Sequence, residues 1–408
     1  MCTAATMVKK PKAVTLDVLG TSGTVDPLAQ TFTLSDTGTF SKDMFSVGKD
    51  GVTNSPLSHG EISALRLDDL DLGRLLGKGA SSRVYLATHR PTRRPLALKV
   101  LQDLEREQAA RHSLVSEMKV VFNALSDHLV GFYDAFLHEG AVYLALEYMD
   151  AGSLLDVYEN AAREGVRVPE PLLAHILFQI LQGLTYLHRE RHAVHRDLKP
   201  ANILLNAAGF VKLSDFGTPR AILSACTSLG AQFCRAILPR NSADAPLRSA
   251  GISKQLDSTR ELAESYCGTR AYMSPERTKG EPYGLASDVW SFGLLALEGA
   301  CGRYPYPAAT YFDLVSHIVD GPPPTDDAAV RQLLSPELHD LVHASLAKEP
   351  TARPDVLALL RHPLIQRHQS NAELQRYLTA ALQAGMAGGS PDVGPTSASP
   401  EQTPTRPR

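Results

Sequence analysis

The chain has 408 residues, of which 41 are Lys or Arg and 44 are Asp or Glu, so its formal net charge is -3. Hydrophobic residues make up 43% and charged residues 21%, as is ordinary for a globular protein, and the length predicts roughly two or three domains. This near-neutral charge excludes bulk electrostatic attraction to nucleic acid or to an acidic membrane, and we expect neither as a partner.

The remaining composition bears on the compartment. No apolar run reaches the about 18 residues that a membrane-spanning helix needs. The start, Met1 to Ala4, has no Gly for myristoylation, and no apolar signal segment follows it. The 5 cysteines are scattered, odd in number and without zinc-ligand spacing. We therefore expect a reducing, cytoplasmic location that leaves the nucleus accessible.

Residues 1 to 65 are predicted to form a mostly disordered arm, because they are rich in small polar residues and lack sustained periodicity. A basic cluster followed by two alternating apolar residues stands near its start. Such a segment can lie extended across an acidic patch beside an apolar groove, and its members are Lys9, Lys10, Lys12, Val14 and Leu16. From spacing alone, a solvated basic tail is the preferred interpretation.

From Leu67 onward the pattern predicts a strand, a glycine turn and a second strand. Gly77 and Gly79 would let backbone N–H groups approach phosphate oxygens, although a simple glycine hairpin explains the same residues. Lys99 then interrupts an apolar strand, where a lysine is costly unless it is paired.

The segment from Glu105 to Phe122 has helical composition and supplies three candidate partners for Lys99. Glu105 and Glu107 fit the exposed first turns of the helix. Glu117 is favoured because apolar residues surround it. Further on we predict two strands, 129–136 and 141–149, and a long amphipathic helix from Pro171 to His192.

The most informative stretch is 195–202, followed by Asp215, Phe216 and Gly217. Asp197 precedes Asn202 by five positions and Asp215 by eighteen. Phosphoryl transfer needs a carboxylate that accepts the attacking hydroxyl's proton and oxygen ligands that hold magnesium on the phosphates. These residues stand in the order and spacing of the protein-kinase signature.

The chain resembles a complete eukaryotic protein kinase over about residues 68–367. The residues that carry the resemblance are Gly77, Lys99, Glu117, Asp197, Asn202, Asp215, Glu276, Asp288 and Arg353. The implied fold is α+β and two-lobed, with an antiparallel β small lobe that contains one helix and a mainly α large lobe. The implied organisation is the arm at 1–65, the kinase domain at 68–367 and a mostly disordered tail at 368–408.

The resemblance also implies the cofactors ATP and Mg2+ and a role for each site residue. Lys99, oriented by Glu117, would hold the α- and β-phosphates, and Asp215 and Asn202 would bind magnesium. Asp197 would accept the substrate proton, and Lys199 would steady the transferred phosphoryl group. The nucleotide would also contact the glycine loop and the segment between the lobes. Ser82 replaces the third glycine of the family's loop. The residues expected at these contacts are Leu76, Gly77, Lys78, Gly79, Ser82, Val84, Ala97, Glu147 and Met149.

Three further segments, 130–133, 147–154 and 273–277, are similar to those of MAP kinase kinases. That resemblance implies a monomer that phosphorylates Thr and Tyr in the activation loop of a downstream MAP kinase. It also implies activation by an upstream MAP kinase kinase kinase. Because that family carries a docking site of basic and then apolar residues, the resemblance favours a docking motif at Lys9 to Leu16.

The activating phosphates are expected just before Gly268. Thr259 and Ser265 have the Thr-x5-Ser spacing of the plant-type enzymes, and Ser258 is the alternative to Thr259. A phosphate here adds nearly two negative charges and can bind Arg196, which orders the loop.

One segment, 218–251, departs from the family pattern, and its removal restores the expected spacing from Asp215 to Glu276. The first interpretation is a retained intron or gene-model error, since the codons at 217–218 and 250–251 can carry splice boundaries. The second is a regulatory insert with four Arg and one acid, and the third is a tolerated loop extension. Two other functions of the chain stay open beside that of a MAP kinase kinase. If the segment disables catalysis, the chain would act as a scaffold that docks a MAP kinase. The chain could also be a kinase of another tier of the cascade.

Overall fold

The computed structural model describes residues 65–79, 82–101, 126–138, 141–215, 270–306, 308, 310–368 and 372–388, together with four short strands between 33 and 53. The predicted helix at 105–122 and the segment 218–251 lie outside these residues, as does the docking motif at Lys9, Lys10, Lys12, Val14 and Leu16. Within the described part, no helix is long and apolar enough to cross a membrane.

The small lobe is built on a five-stranded antiparallel sheet of order β5-β6-β7-β9-β8. Its strands are β5 (Leu70–Lys78), β6 (Ser82–His89), β7 (Arg94–Leu101), β8 (Phe132–His138) and β9 (Ala141–Glu147). Alternate residues of β7, Leu96 and Leu98, face a core with Ala87, Phe136 and Ala145. The period-two pattern of the sequence therefore places one face of the sheet in the core.

Four short strands precede this sheet: β1 (Thr33–Leu34), β2 (Phe40–Lys42), β3 (Phe45–Gly48) and β4 (Gly51–Thr53). They pair antiparallel in sequence order, and β3 and β4 lie near β8. The sequence pattern predicts no strand in this part of the arm. Strands of two to four residues leave no sustained periodicity, which is why the pattern did not reveal them.

The large lobe is mainly helical. Its helices are α1 (Leu154–Arg163), α2 (Glu170–Thr185), α3 (Pro275–Lys279), α4 (Ala286–Cys301), α5 (Tyr311–Val319), α6 (Ala328–Arg331), α7 (Pro336–Ser345), α8 (Val356–Leu360), α9 (Pro363–Arg367) and α10 (Ala372–Gly388). The two longest of its central helices, α2 and α4, are buried on nearly all sides, which explains their apolar composition. The predicted two-lobed α+β fold is confirmed in the described residues.

Boundaries differ from the sequence prediction in three elements. Strand β9 ends at Glu147 rather than at Met149. Strand β8 begins at Phe132, because residues 128–130 leave the sheet and hydrogen-bond with Leu213 of the large lobe. Helix α2 ends at Thr185, whereas the predicted helix ran to His192. A five-residue π-helical turn, Tyr186–Glu190, follows it. This turn contains His188, whose side chain bonds to Asp288, so a tertiary contact coincides with the early end of the α-helix.

Candidate active site

The loop that carries the candidate catalytic residues is held by a buried carboxylate. Asp288 lies in the first turn of α4, is 1% exposed, and accepts the N–H groups of His195 at 2.8 Å and Arg196 at 3.0 Å. His188 Nε2 lies 2.8 Å from the same carboxylate. Burial acts to raise the pKa of Asp288, but the hydrogen bond and charge of His188 outweigh it and lower the pKa. Asp288 therefore holds the backbone of the loop at His195 and Arg196.

Arg196 takes a left-handed conformation, with φ of 74°, which is uncommon for a residue with a side chain. Arg277 donates to its carbonyl oxygen at 2.6 Å, and Asp288 accepts its N–H group. The strained backbone is thus fixed on both sides, and the next residue in the chain is Asp197.

Asp197 is oriented by two neighbours. Asn202 Nδ2 donates to the Asp197 carbonyl at 2.7 Å and to its Oδ2 at 2.8 Å, while Lys199 Nζ lies 3.0 Å from the same Oδ2. Because both partners of the Asn202 amide are acceptors, its NH2 group must face Asp197 and its Oδ1 must face away. The arrangement leaves an oriented carboxylate and an oriented amide oxygen side by side.

Asp215 follows β11 (Val211–Leu213), which pairs with β10 (Ile203–Leu205) in a two-stranded ladder. Ser214 donates through its N–H group, at 2.9 Å, and its hydroxyl, at 3.0 Å, to the carbonyl of Asn202. The two predicted metal ligands are therefore joined through one residue. Asp215 itself has φ of 54°, a left-handed conformation that turns the chain directly after the ladder.

Lys99 reaches this group from the small lobe. Its Nζ lies 2.5 Å from Asp215 Oδ1, across 116 positions of sequence. Partial desolvation acts to raise the pKa of Asp215, but the charge and hydrogen bond of Lys99 outweigh it, so the pKa is lowered. The structure thus brings Lys99, Asp215, Asn202, Asp197 and Lys199 to one place between the lobes.

The donor set fits a divalent cation held together with phosphates. No group of three or more His, Cys, Asp or Glu side chains able to hold a metal occurs among the described residues. Asn202 and Asp215 supply two oxygen-bearing side chains beside the Lys99 cation. Mg2+ characteristically takes one or two carboxylates and completes its octahedron with waters and substrate phosphates, so two protein ligands suffice.

The predicted glycine loop begins at the end of β5, which pairs with β6, and β6 in turn pairs with the strand that carries Lys99. The Gly79 N–H donates to the Ser82 carbonyl at 2.8 Å. A Cβ at Gly77 would meet no atom within 4 Å, so close packing does not explain that glycine. The other predicted nucleotide contacts lie along the strands, with Leu76 and Lys78 in β5, Val84 in β6 opposite Lys99, Ala97 in β7 opposite Leu146, and Glu147 and Met149 at and beyond the end of β9.

A second buried pair fixes the segment that follows the site. Arg353 Nη1 and Nη2 donate to the two Glu276 oxygens at 2.9 and 2.8 Å, and Ser287 Oγ donates to the same carboxylate at 2.7 Å. Burial acts to raise the pKa of Glu276, but the hydrogen bonds from Arg353 and Ser287 lower it to about 2. The resemblance to protein kinases implies that Arg353 pairs with Glu276, and the structure contains this pair.

The sequence missed His188 and Arg277, both of which act on the loop. Their partners lie 100 and 81 positions away, so no local pattern indicates either contact, although Arg277 stands in the segment 273–277 that resembles MAP kinase kinases. The roles predicted for Glu117, Thr259, Ser265 and the alternative Ser258 stay predictions, because those residues lie outside the described ones.

Comparison with known proteins agrees with this geometry. The protein kinase domain model matches residues 70–233 and 237–365. Mitogen-activated protein kinase kinase 2 of Arabidopsis thaliana is 36% identical over 365 residues, which cover 85% of this chain and 89% of that protein. Mitogen-activated protein kinase kinase 1 of the same plant is 34% identical, with 87% and 94% covered, and kinase kinase 1c of Physcomitrium patens is 34% identical, with 82% and 90% covered.

These relatives match nearly their whole length, and the family model spans both lobes of the described fold. A protein kinase domain uses ATP with a divalent metal, and the group around Asp215 has the donors for both. The chain therefore belongs to the protein kinase family and, within it, to the mitogen-activated protein kinase kinases.

Proposed function

We propose that the chain transfers the γ-phosphate of ATP, with Mg2+ as the metal, to both Thr and Tyr in the activation loop of a downstream MAP kinase. The observation that carries the proposal is the convergence of Lys99, Asp215, Asn202 and Asp197 in one site between the lobes. The relatives named above are MAP kinase kinases, which supports a MAP kinase as the substrate.

Each residue has a distinct part in this reaction. Asp197 accepts the proton of the attacking hydroxyl, and we assign Oδ1 to this step because Asn202 and Lys199 both contact Oδ2. Lys99 holds the α- and β-phosphates and Lys199 balances charge on the transferred group. Asp215 and Asn202 would hold Mg2+, which when bound neutralises charge on the phosphates. Catalysis is then mostly positioning and electrostatic stabilisation.

Activation is proposed to come from phosphates on Thr259 and Ser265, placed by an upstream MAP kinase kinase kinase. Arg196 supports this, because its buried Nε has no hydrogen-bond partner within the described part of the chain. A buried guanidinium N–H without an acceptor is costly and favours an incoming anion. The same Arg precedes Asp197, so that a phosphate bound there would act directly on the catalytic loop.

The arm supports recognition of the substrate. Lys9, Lys10, Lys12, Val14 and Leu16 combine positive charge with alternating apolar side chains, which suits an acidic patch beside an apolar groove on the MAP kinase. Replacement of the three lysines by alanine should raise the KM for a MAP kinase and leave the KM for ATP unchanged.

A scaffold that docks a MAP kinase without phosphorylating it is the second candidate. The segment 218–251 favours it, because that segment begins three residues after Asp215 and directly after the Asp-Phe-Gly triplet. The transcript sequence across codons 214–254 tests whether the segment is present in cells.

The deciding experiment is transfer from γ-labelled ATP to a catalytically inactive MAP kinase, with phosphorylated sites mapped. The enzyme is the chain as written with Thr259→Asp and Ser265→Glu, and Asp215→Asn in the same background is the control. Label on both Thr and Tyr of the activation loop is the expected result. Transfer that appears only after deletion of 218–251 would identify this form as the inactive one, and no transfer by either form would refute the proposal.

A further inference from the structure

A charged pair outside the reacting group links the two lobes. Glu147 is the last residue of β9, and its two carboxylate oxygens lie 2.9 and 2.8 Å from Nζ of Lys212 in β11. The Gly131 N–H donates to the same carboxylate at 2.9 Å. We call Glu147 and Lys212 the interlobe pair, since β9 belongs to the small lobe and β11 to the large one.

The pair is largely withdrawn from water, with side-chain exposures of 22% for Glu147 and 13% for Lys212. Taking both charges out of water costs free energy, which the ion pair and the Gly131 bond offset. Gly131 fits this carboxylate closely, because a Cβ there would lie 3.1 Å from Glu147 Oε2. The Lys212 ammonium also lies 5.9 Å from the centre of the Phe210 ring.

Backbone bonds join the same elements. The Glu147 N–H donates to the Gly131 carbonyl at 2.8 Å, the Val130 N–H to Leu213 at 2.9 Å, and the Leu213 N–H to His128 at 2.9 Å. Segment 128–131 is thus bonded to β9 on one side and to β11 on the other. The interlobe pair adds a direct side-chain contact between β9 and β11.

The two ends of the pair lie beside the two ends of the nucleotide site. The resemblance to protein kinases implies that the backbone of the segment with Glu147 and Met149 binds adenine, whereas Lys212 precedes Asp215, at the phosphate end, by three residues. Lys212 does not belong to the reacting group, and its side chain contacts Glu147 rather than Asp215. A change at Lys212 can therefore reach the nucleotide only through the position of these elements.

We propose that Lys212 is a positioning residue, which through Glu147 fixes the adenine-binding segment relative to the strand that carries Asp215. The inference rests on the nucleotide assignment of the proposed function. With the pair broken, the two ends of the site are free to shift apart, so binding of ATP weakens. The pair thus sets nucleotide affinity without contacting the transferred phosphoryl group.

The test is titration of the full-length chain with the fluorescent nucleotide mant-ATP and Mg2+. We expect Lys212→Met to weaken binding by roughly three- to tenfold, the change that about 0.7–1.4 kcal/mol produces. Lys212→Arg, which keeps the charge and can bond both carboxylate oxygens, should bind nearly as the unsubstituted chain does. Arg367→Met, which breaks the ion pair with Glu337 in the large lobe, is the control and should bind normally.

A double-mutant cycle with Glu147→Gln separates coupling from independent damage. If the two residues act as a pair, the double variant should bind mant-ATP as tightly as whichever single variant binds it less tightly. Three results would each overturn the proposal. The first is that the effects of the two single variants on binding multiply in the double variant. The others are normal binding by Lys212→Met with only a lower Tm, and no nucleotide binding by the unsubstituted chain.

Should Lys212→Met fail to fold, Gly131→Ala provides the second perturbation, because it crowds the carboxylate and keeps both charges. It should also weaken nucleotide binding, and normal binding would count against the pair. No MAP kinase is present in these titrations, so failed transfer to a MAP kinase refutes the proposed function and leaves this test standing.

Discussion

Replacement of Glu276 by glutamine should remove a large part of the stability of the large lobe. Glu276 is 4% exposed, and Arg353, which donates to both of its oxygens, is 7% exposed. Its pKa falls from 4.5 to about 2 in the folded chain, and one pKa unit corresponds to about 1.4 kcal/mol. The ionised carboxylate therefore contributes roughly 3 kcal/mol, at the lower end of the about 3–5 kcal/mol found when one partner of a buried pair is removed.

The chain contains its own reporter for this measurement. Its single tryptophan, Trp290, is fully buried in α4, and the Arg353 guanidinium lies 5.2 Å from the centre of its ring. Urea unfolding followed by tryptophan fluorescence should show Glu276→Gln to be about 3 kcal/mol less stable at pH 7. Glu337→Gln, which breaks a more exposed pair with Arg367, is the matched control and should lose no more than about 1 kcal/mol.

The pH dependence gives an independent check on the sign. Because the folded pKa of Glu276 lies below the unfolded value, its contribution is complete above pH 4.5 and is lost as the pH falls toward 2. The stability difference between the unsubstituted chain and Glu276→Gln should therefore shrink below pH 4.5. A difference of less than about 0.5 kcal/mol at pH 7, the range of an ordinary surface substitution, would refute the reasoning. So would a difference that stays constant down to pH 3.

Three further predictions follow from the site and its support. Lys99→Met should abolish phosphoryl transfer while circular dichroism stays unchanged, and near-normal transfer would remove Lys99 from the site. Asp288→Asn places an amide against two backbone N–H donors, so kcat should fall at least about tenfold with a lower Tm, and an unchanged kcat would contradict the role given to Asp288. Gly183→Ala should lower the free energy of unfolding in urea by about 1–3 kcal/mol, because its Cβ would lie 2.8 Å from the His128 carbonyl oxygen and 2.9 Å from Leu213 Cδ1. Gly284→Ala is its control, since a Cβ there meets no atom within 4 Å. Equal stability of the two variants would contradict this packing.

Local sequence patterns were enough to predict the two-lobed fold and a protein kinase. Asp197, Lys199 and Asn202 lie within six residues of one loop, so their relative positions depend mostly on local backbone geometry, and their spacing could be recognised directly. The apolar patterns of α2 and of the strand around Lys99 are likewise local, because helical and strand periods repeat within a few residues. The resemblance to MAP kinase kinases followed from such short segments.

Direct contacts between distant residues could not be predicted in this way. Lys99 and Asp215 are 116 positions apart, His188 and Asp288 are 100 apart, and Glu147 and Lys212 are 65 apart. No periodicity links such residues, because their contact depends on how the lobes and the helices pack against one another. Lys212 shows this clearly: in sequence it is a lysine between two apolar residues of a short strand, and its partner exists only because β9 and β11 are brought together by the packing of the two lobes.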